Sequence, residues 1–276
     1  MSAKSNIHTH CTHCDGKNTI DEIVQTAIEL GLESIGFSSH APTGFRFDTC
    51  QVRDIDGYFL DLDTAKQKYR GKIDIFKGLE LEAHVAGPTG DTFPQIDPRC
   101  DFTIGSSHYV CVGGQHMAID DTPAQLLQAC NALGPEGLLC TYFDDVLRFA
   151  NAVHFPVIGH IDLFTKFNSL LHIWDESSAI YQSLVLSYID RLLPLDRIFE
   201  VNTGAINRGY RSVPYPAPFI LRHLQQKRAR IILTSDAHSA TTLCGAFDPT
   251  IALLKSLGFT EQMQLVAPNK FVPVPL

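Results

Sequence analysis

The sequence predicts an α/β protein whose parallel strands close, or nearly close, into a barrel. Two observations predict it. Short β-branched or apolar runs alternate with helical stretches along the chain, giving seven strand candidates. Polar residues able to carry chemistry stand at the C-terminal ends of many successive strands. In a barrel those ends converge on one mouth, whereas in an open doubly wound sheet only a switch point lines a ligand. The 276 residues suit a single domain spanning 1–276, with no linker-like or low-complexity stretch.

The elements follow in order. Asn6 to His10 is a short strand ending in a histidine cluster. Thr19-Ile20-Asp21-Glu22 is a capping box, and the helix it opens puts Ile20, Ile23, Val24, Ala27 and Ile28 on one face before Gly31 stops it. Ser34 to Phe37 is a strand leading to His40, and Asp56 to Arg70 a helix. Ile73 to Leu79 is a strand ending at Glu80, after which 82–101 reads as a long loop rich in Gly and Pro. Phe102 to Ile104 is a strand leading to His108; residues 122–133 and 135–153 are helical. Pro156 to Ile158 is a strand ending at His160, and Asp175 to Leu193 a helix. Ile198 to Val201 is a strand carrying Glu200 and leading to Asn202; Pro216 to Lys227 is helical. Arg230 to Thr234 is a strand ending at Ser235-Asp236-Ala237-His238. A last helix, Pro249 to Leu257, takes Asp248 as its cap, and a Pro-rich tail follows.

Composition narrows the function. With 45% apolar and 19% charged residues the chain has a globular balance. A formal charge of −8 argues against a nucleic-acid partner, because no basic surplus is present to release counterions. It leaves room for a small anionic substrate, since bound divalent cations reverse the field of a pocket. The start, MSAKSNIH, lacks the apolar stretch of a signal peptide, and no apolar run approaches a membrane span. Eight cysteines without export features imply free thiols in a reducing, cytoplasmic setting.

The strand ends present His8 and His10, His40, Glu80, His108, His160, and the pair Asp236 and His238, with Asp15 in the first loop. On a strand, residues i and i+2 share a face, so each H-x-H or D-x-H pair can enter one pocket. A lone strand-end histidine usually caps a helix or takes an ordinary hydrogen bond, and Asp236 alone could cap a helix. The set at matching topological points is what indicates metal, and imidazole with carboxylate suits zinc, iron or manganese. His13, His84, His116, His154, His172 and His223 lack that placement and read as surface or structural residues. Glu82, in phase with Glu80, reads most simply as a solvated carboxylate. The C-x-x-C of Cys11 and Cys14 has no second knuckle to complete a structural zinc site and precedes a helix in a loop, so both read as spectator thiols.

The stretches HTHCTHCDG, SIGFSSHAP, KGLELE, IGSSHYV, VIGHIDL, FEVNTGAINRG and ILTSDAHS, in this order from residue 8 to 239, resemble the polymerase-and-histidinol-phosphatase (PHP) superfamily, and within it the histidinol-phosphate phosphatases. The resemblance implies a distorted (β/α)7 barrel, TIM-barrel-like, with two to three divalent metal ions (Zn, Mn or Fe) at its C-terminal mouth. It implies His8, His10, Glu80 and Asp236 on a first metal, Glu80 bridging to a second with His108 and His160, and Asp15, His40 and His238 on a third. Asp15 stands where the family's histidinol phosphatases often carry histidine, and His13 is the alternative ligand.

Phosphomonoester hydrolysis suits such a cluster. Metals neutralise the phosphate and supply hydroxide at neutral pH for in-line attack, so no protein nucleophile is required. The leaving oxygen needs a proton or a cation, which Asp15, His238 or the third metal could supply. Arg208 is a candidate phosphate clamp by paired hydrogen bonds, with a solvated surface arginine as the other reading; Arg46 is a second candidate of the same kind. The expected partner is a small phosphorylated substrate, L-histidinol phosphate first. Another phosphomonoester or a nucleotide, and a zinc-binding module using the cysteine pair, are the alternatives.

Overall fold

The computed structural model describes residues 4–87 and 90–276, so Met1 to Ala3 of the N-terminal stretch and Pro88-Thr89 of the expected long loop lie outside the described residues. Among the described residues the central sheet has seven strands: β1 (Ser5–Asn6), β2 (Ser34–Phe37), β3 (Asp74–Glu82), β4 (Phe102–Ser106), β5 (Val157–Ile158), β6 (Ile198–Asn202) and β7 (Ile231–Thr234). Each pairs in parallel with its neighbour in chain order. The ring is joined between β7 and β1 by a parallel bridge of Thr9 to Ala237, where His10 N donates to Ala237 O at 2.9 Å and Ala237 N to His8 O at 3.2 Å. The barrel is therefore nearly closed, and β1 is shorter than expected because Ile7 to His10 leaves the ladder to make this seam.

Strand parity sorts the barrel interior. From the lower end upward, β3 carries Phe76, Gly78, Glu80 and Glu82 on one face, as alternation requires. Phe76 packs with Ile7, Phe102, Ile104, Val157, Ile198 and Ile232 in an apolar cluster, while the carboxylates reach the mouth. Gly78 is needed there: a Cβ would sit 2.6 Å from the Phe102 ring. The cluster is completed from below by Met263 and Leu265. They belong to an antiparallel hairpin, Glu261–Ala267 with Lys270–Pro275, where a Pro-rich tail was expected. Pro268-Asn269 makes its turn, Asn269 at φ 51°, and Pro273 and Pro275 lie on its outer strand, where missing N–H groups are tolerated.

The helices cover the outside. α1 (Ile20–Glu29) begins with the expected capping box, Glu22 N donating to Thr19 Oγ1 at 3.3 Å and Thr19 N to Glu22 Oε2 at 2.8 Å. α2 (Ile55–Lys68) is capped by Asp54, and α3 (Pro123–Ala152) is broken by non-helical Gly134 where two helices were expected. α4 (Ala179–Leu192) starts later than Asp175, because Asp175 Oδ1 instead accepts Ser177 N in a turn at 3.0 Å. α5 (Pro218–Gln226) starts at its own N-terminal proline. α6 (Phe247–Ser256) starts before Asp248, with Pro249 in the first turn, where a missing N–H leaves no bond unmade. Two excursions from the mouth replace simple loops: hairpins Val85–Gly87 with Gly90–Thr92, and Tyr109–Val112 with Gln115–Ala118. No helix is long and apolar enough to cross a membrane among the described residues.

Candidate metal centre

Glu80 is the hub of the mouth, 2% exposed at the top of β3. Its two oxygens face different histidines. Oε2 lies 3.3 Å from His8 Nε2, 3.6 Å from His10 Nε2 and 3.0 Å from His40 Nδ1. Oε1 lies 2.9 Å from His160 Nε2 and 3.5 Å from His108 Nε2, and accepts Ser106 Oγ at 2.6 Å. Asp236 Oδ1, from the turn after β7, stands 3.2 Å from His10 Nε2 and 3.7 Å from His8 Nε2. On the outer side Asp15 Oδ2 lies 3.2 Å from His238 Nε2, and Oδ1 3.7 Å from His40 Nε2. The eight strand-end candidates and Asp15 thus fall into one continuous array. Four overlapping groups within it could hold an ion: His10, Asp15, His40 and His238; His8, His10 and Asp236; His8, Glu80 and His160; His40, Glu80 and His108.

The donor set fits divalent cations on observations internal to the structure. His8 Nε2, His10 Nε2 and Glu80 Oε2 are buried without a hydrogen-bond partner, and all three converge on the same space. Such unpaired groups are costly unless a ligand satisfies them. Burial, with His238 and His40 alongside, lowers His10 to about 3, which keeps its imidazole in the neutral form that ligates. Burial opposes ionised Glu80, yet the His8, His108 and His40 rings and the His160 bond hold its carboxyl well below the usual range. Burial likewise opposes charge on His8, but the carboxylates of Glu200, Glu80 and Asp236 raise it well above the ordinary histidine value. A cation entering beside His8 would therefore displace a proton.

Two carboxylates beneath the array orient it. Glu200, 1% exposed on β6, hydrogen-bonds His8 Nδ1, accepts His160 N at 2.7 Å on Oε2 and Thr234 Oγ1 at 2.7 Å on Oε1. Glu82 is also buried, contrary to the solvated reading, because β3 runs on to it. Its Oε2 accepts His108 N at 3.0 Å and lies 2.8 Å from His108 Nδ1. Each fixes a ring whose other nitrogen looks into the centre, the outer-partner arrangement typical of metal-ligating histidines. Parity with Glu80 was the available signal for Glu82. Glu200 was legible only as a strand residue, since its contact with His8 spans 192 positions.

The remaining candidates separate clearly. His13 turns to α2, with Nε2 2.8 Å from Asp61 Oδ2, while Asp15 faces the array. His154 pairs with Arg197 and His223 with Asp190, and His172 ends a short helix at φ 51°. His84 is buried, its Nε2 3.1 Å from Asp145 Oδ2. Cys11 is buried, burial pushing its thiol up to about 12, and no cysteine belongs to the four groups among the described residues. Arg208 reaches the array: Nη2 donates to Asp236 Oδ2 at 3.0 Å and Nη1 to Asp236 O at 3.2 Å. Arg46 is exposed and stands outside the cavity lining, although Phe47 to Cys50 contribute to it.

The cavity above the array holds about 940 Å³. His40, Glu80, His108, His160, Asp236 and His238 form its floor, with Arg208 and Lys166 on its walls. The Tyr109–Ala118 hairpin, with His116 and Met117, also lines it, as do Asp121 and Asp120, whose Oδ2 accepts Lys166 Nζ at 3.2 Å. Sequence reading missed this hairpin. Its signal was Gly113-Gly114 after the apolar run Tyr109 to Val112, both glycines at positive φ (57° and 82°), as a two-residue hairpin turn demands.

Comparison with known proteins follows the same outline. The PHP domain family model matches residues 6–204. A Schizosaccharomyces pombe protein named "Probable histidinol-phosphatase" is 26% identical over 254 residues, covering 86% of this chain and 80% of its own. The histidinol-phosphatase of Bacillus subtilis is 26% identical over 261 residues, 87% of this chain and 96% of its own. The solved structure of histidinol phosphate phosphatase from Lactococcus lactis, complexed with zinc, L-histidinol and phosphate, has a TM-score of 0.72 at 20% identity. It covers 99% of this chain and 100% of that one, so the fold is shared throughout.

Proposed function

The chain belongs to the PHP domain family, and from that premise we propose that it is a metal-dependent phosphatase converting L-histidinol phosphate and water to L-histidinol and phosphate. The observation that carries this reading is similarity to named histidinol-phosphatases over nearly the whole chain, 87% of it for the Bacillus subtilis enzyme. The array around Glu80 supports the reaction class. His8, His10, Glu80 and Asp236 would hold one cation, Glu80 with His108 and His160 a second, and Asp15, His40 and His238 a third. Zinc is the first choice, being the metal of the Lactococcus lactis complex; manganese and iron suit the same donors. Bound there, the cations would neutralise the phosphate and lower the pKa of a water molecule.

The chain's own groups do the rest. Arg208 offers guanidinium N–H donors to a phosphate oxygen from the edge of the array, already aligned by its two bonds to Asp236. Asp15 and His238, with Oδ2 and Nε2 3.2 Å apart, hold a proton for the leaving oxygen when no third cation is bound; with that cation in place, the role passes to it. The rest of the cavity lining meets the remainder of the substrate: Asp121, next to the Asp120–Lys166 ion pair, complements its ammonium group, and Phe47, Tyr109 and His116 offer flat faces to its imidazole. A cytoplasmic setting belongs to the same reading and agrees with eight free cysteines.

The test is a turnover screen on protein of measured metal content. It should include histidinol phosphate, other small phosphomonoesters and nucleotides. Histidinol phosphate should be hydrolysed with the highest kcat/KM, and double substitution His8→Ala with Asp236→Ala should abolish release. Phosphate release surviving that double substitution would overturn the mechanism, and preference for another ester would overturn the substrate.

A further inference from the structure

His8 and His108 hand their outer ring nitrogens to carboxylates, Glu200 and Glu82. His10 differs. Its Nδ1 lies 3.6 Å from Cys14 Sγ, within reach of a hydrogen bond to sulfur, while Asp15 Oδ1 stands 3.7 Å away, too far for one to oxygen. The same sulfur is placed to donate to Cys11 O at 3.4 Å. Backbone bonds hold that carbonyl in place, Cys14 N and Gly16 N both donating to it at 3.0 and 3.1 Å. The thiol thus has a fixed acceptor for its own hydrogen and leaves its lone pairs toward the ring.

We infer that Cys14 is a positioning residue for His10: its sulfur accepts the Nδ1–H, fixes that tautomer, and leaves the Nε2 lone pair aimed between Glu80 and Asp236. Nε2 is the buried atom that has no hydrogen-bond partner of its own, 3.2 Å from Asp236 Oδ1 and 3.6 Å from Glu80 Oε2. The ring plane is set separately, by stacking on His238 with centroids 4.1 Å apart and by His40 at 4.4 Å. Stacking cannot choose which nitrogen carries the proton; the sulfur can. The C-x-x-C motif therefore divides. Cys11 contributes its carbonyl and packs its thiol against Ser39 Oγ at 3.4 Å, whereas Cys14 works through its side chain.

The inference rests on the metal reading of the array, and its test reads metal binding rather than turnover. Metal-free wild type, Cys14→Ala, Cys14→Ser and Cys11→Ala are titrated with zinc against a chromophoric chelator, with folding followed by thermal melting. Cys14→Ala should weaken zinc binding roughly 10- to 100-fold, as loss of an outer partner does. Cys14→Ser, which keeps a donor and an acceptor, should recover most of that loss, and Cys11→Ala should bind as wild type. The cobalt-substituted wild type should show no sulfur-to-cobalt charge-transfer band. Wild-type affinity in Cys14→Ala, or equal loss in the Ser and Ala variants, would overturn the inference alone. A charge-transfer band would overturn it by making Cys14 a ligand. Failure of the wild type to bind zinc would overturn the metal reading and this inference with it.

Discussion

The two ends of this barrel are built from the same strands and share almost no chemistry. At the lower end Phe76, Phe102, Ile104, Ile198 and Ile232 pack with Met263 and Leu265 of the closing hairpin. At the upper end the same strands deliver Glu80, Glu82, Ser106 and Glu200, and the loops beyond them add histidines. The difference teaches how one strand serves two purposes. On β3 the inward face changes from phenylalanine to glutamate within four positions, Phe76 to Glu80. Burial at the lower end stabilises the fold without polar groups to satisfy, at about 25 cal/mol per Å² of apolar area. Burial at the upper end works against stability, because charged and unpaired groups are withdrawn from water. The upper end is tolerable when those groups are paired or bind cations, and the lower end keeps it in place.

The comparison breaks most visibly at Glu80. Glu80→Ala removes the hub shared by the neighbouring groups, so metal content should fall and kcat drop by at least ~10³-fold, several kcal/mol of transition-state stabilisation. Circular dichroism should still report a folded barrel. Loss of folding in this variant would mean that the mouth, and not only the lower end, holds the protein together. The converse change is Leu265→Ala, at a site 0% exposed. It should cost ~2–5 kcal/mol in denaturant unfolding while leaving metal content and kcat per folded molecule unaltered. A smaller effect should come from Glu200→Gln, which keeps the shape but removes the charge beside His8 Nδ1. Metal affinity should fall roughly 10- to 100-fold, measured by chelator competition, with little change in the unfolding midpoint of the metal-free protein. Unchanged affinity there would limit the orienting role to hydrogen bonding without charge.

Much of the upper end was legible in the sequence because each candidate ligand is announced locally, by a short apolar run that leads to a His, Glu or Asp. Glu80, His108, His160 and Asp236 are all of this kind. The seven strands were legible for the same reason, although β1 proved shorter, its residues being drawn into the seam with Ala237. Partners that depend on which strands face one another were not. Glu200 meets His8 across the barrel interior, and no spacing along the chain encodes that meeting. The two ends also differed in how composition misled. Prolines in the last residues suggested an unstructured tail, yet they occupy an outer strand whose inner partner carries Met263 and Leu265. Cys11 and Cys14 drew attention as a motif; in the fold their thiols part, that of Cys11 toward Ser39 and that of Cys14 toward His10.

The most direct measurement of the central claim is anomalous diffraction from crystals of the protein loaded with zinc. The account predicts peaks on both sides of the Glu80 carboxylate, one among His8, His10 and Asp236 and one beside His108 and His160, with a third near Asp15, His40 and His238. Zinc bound by the sulfurs of Cys11 and Cys14, with none beside Glu80, would contradict it.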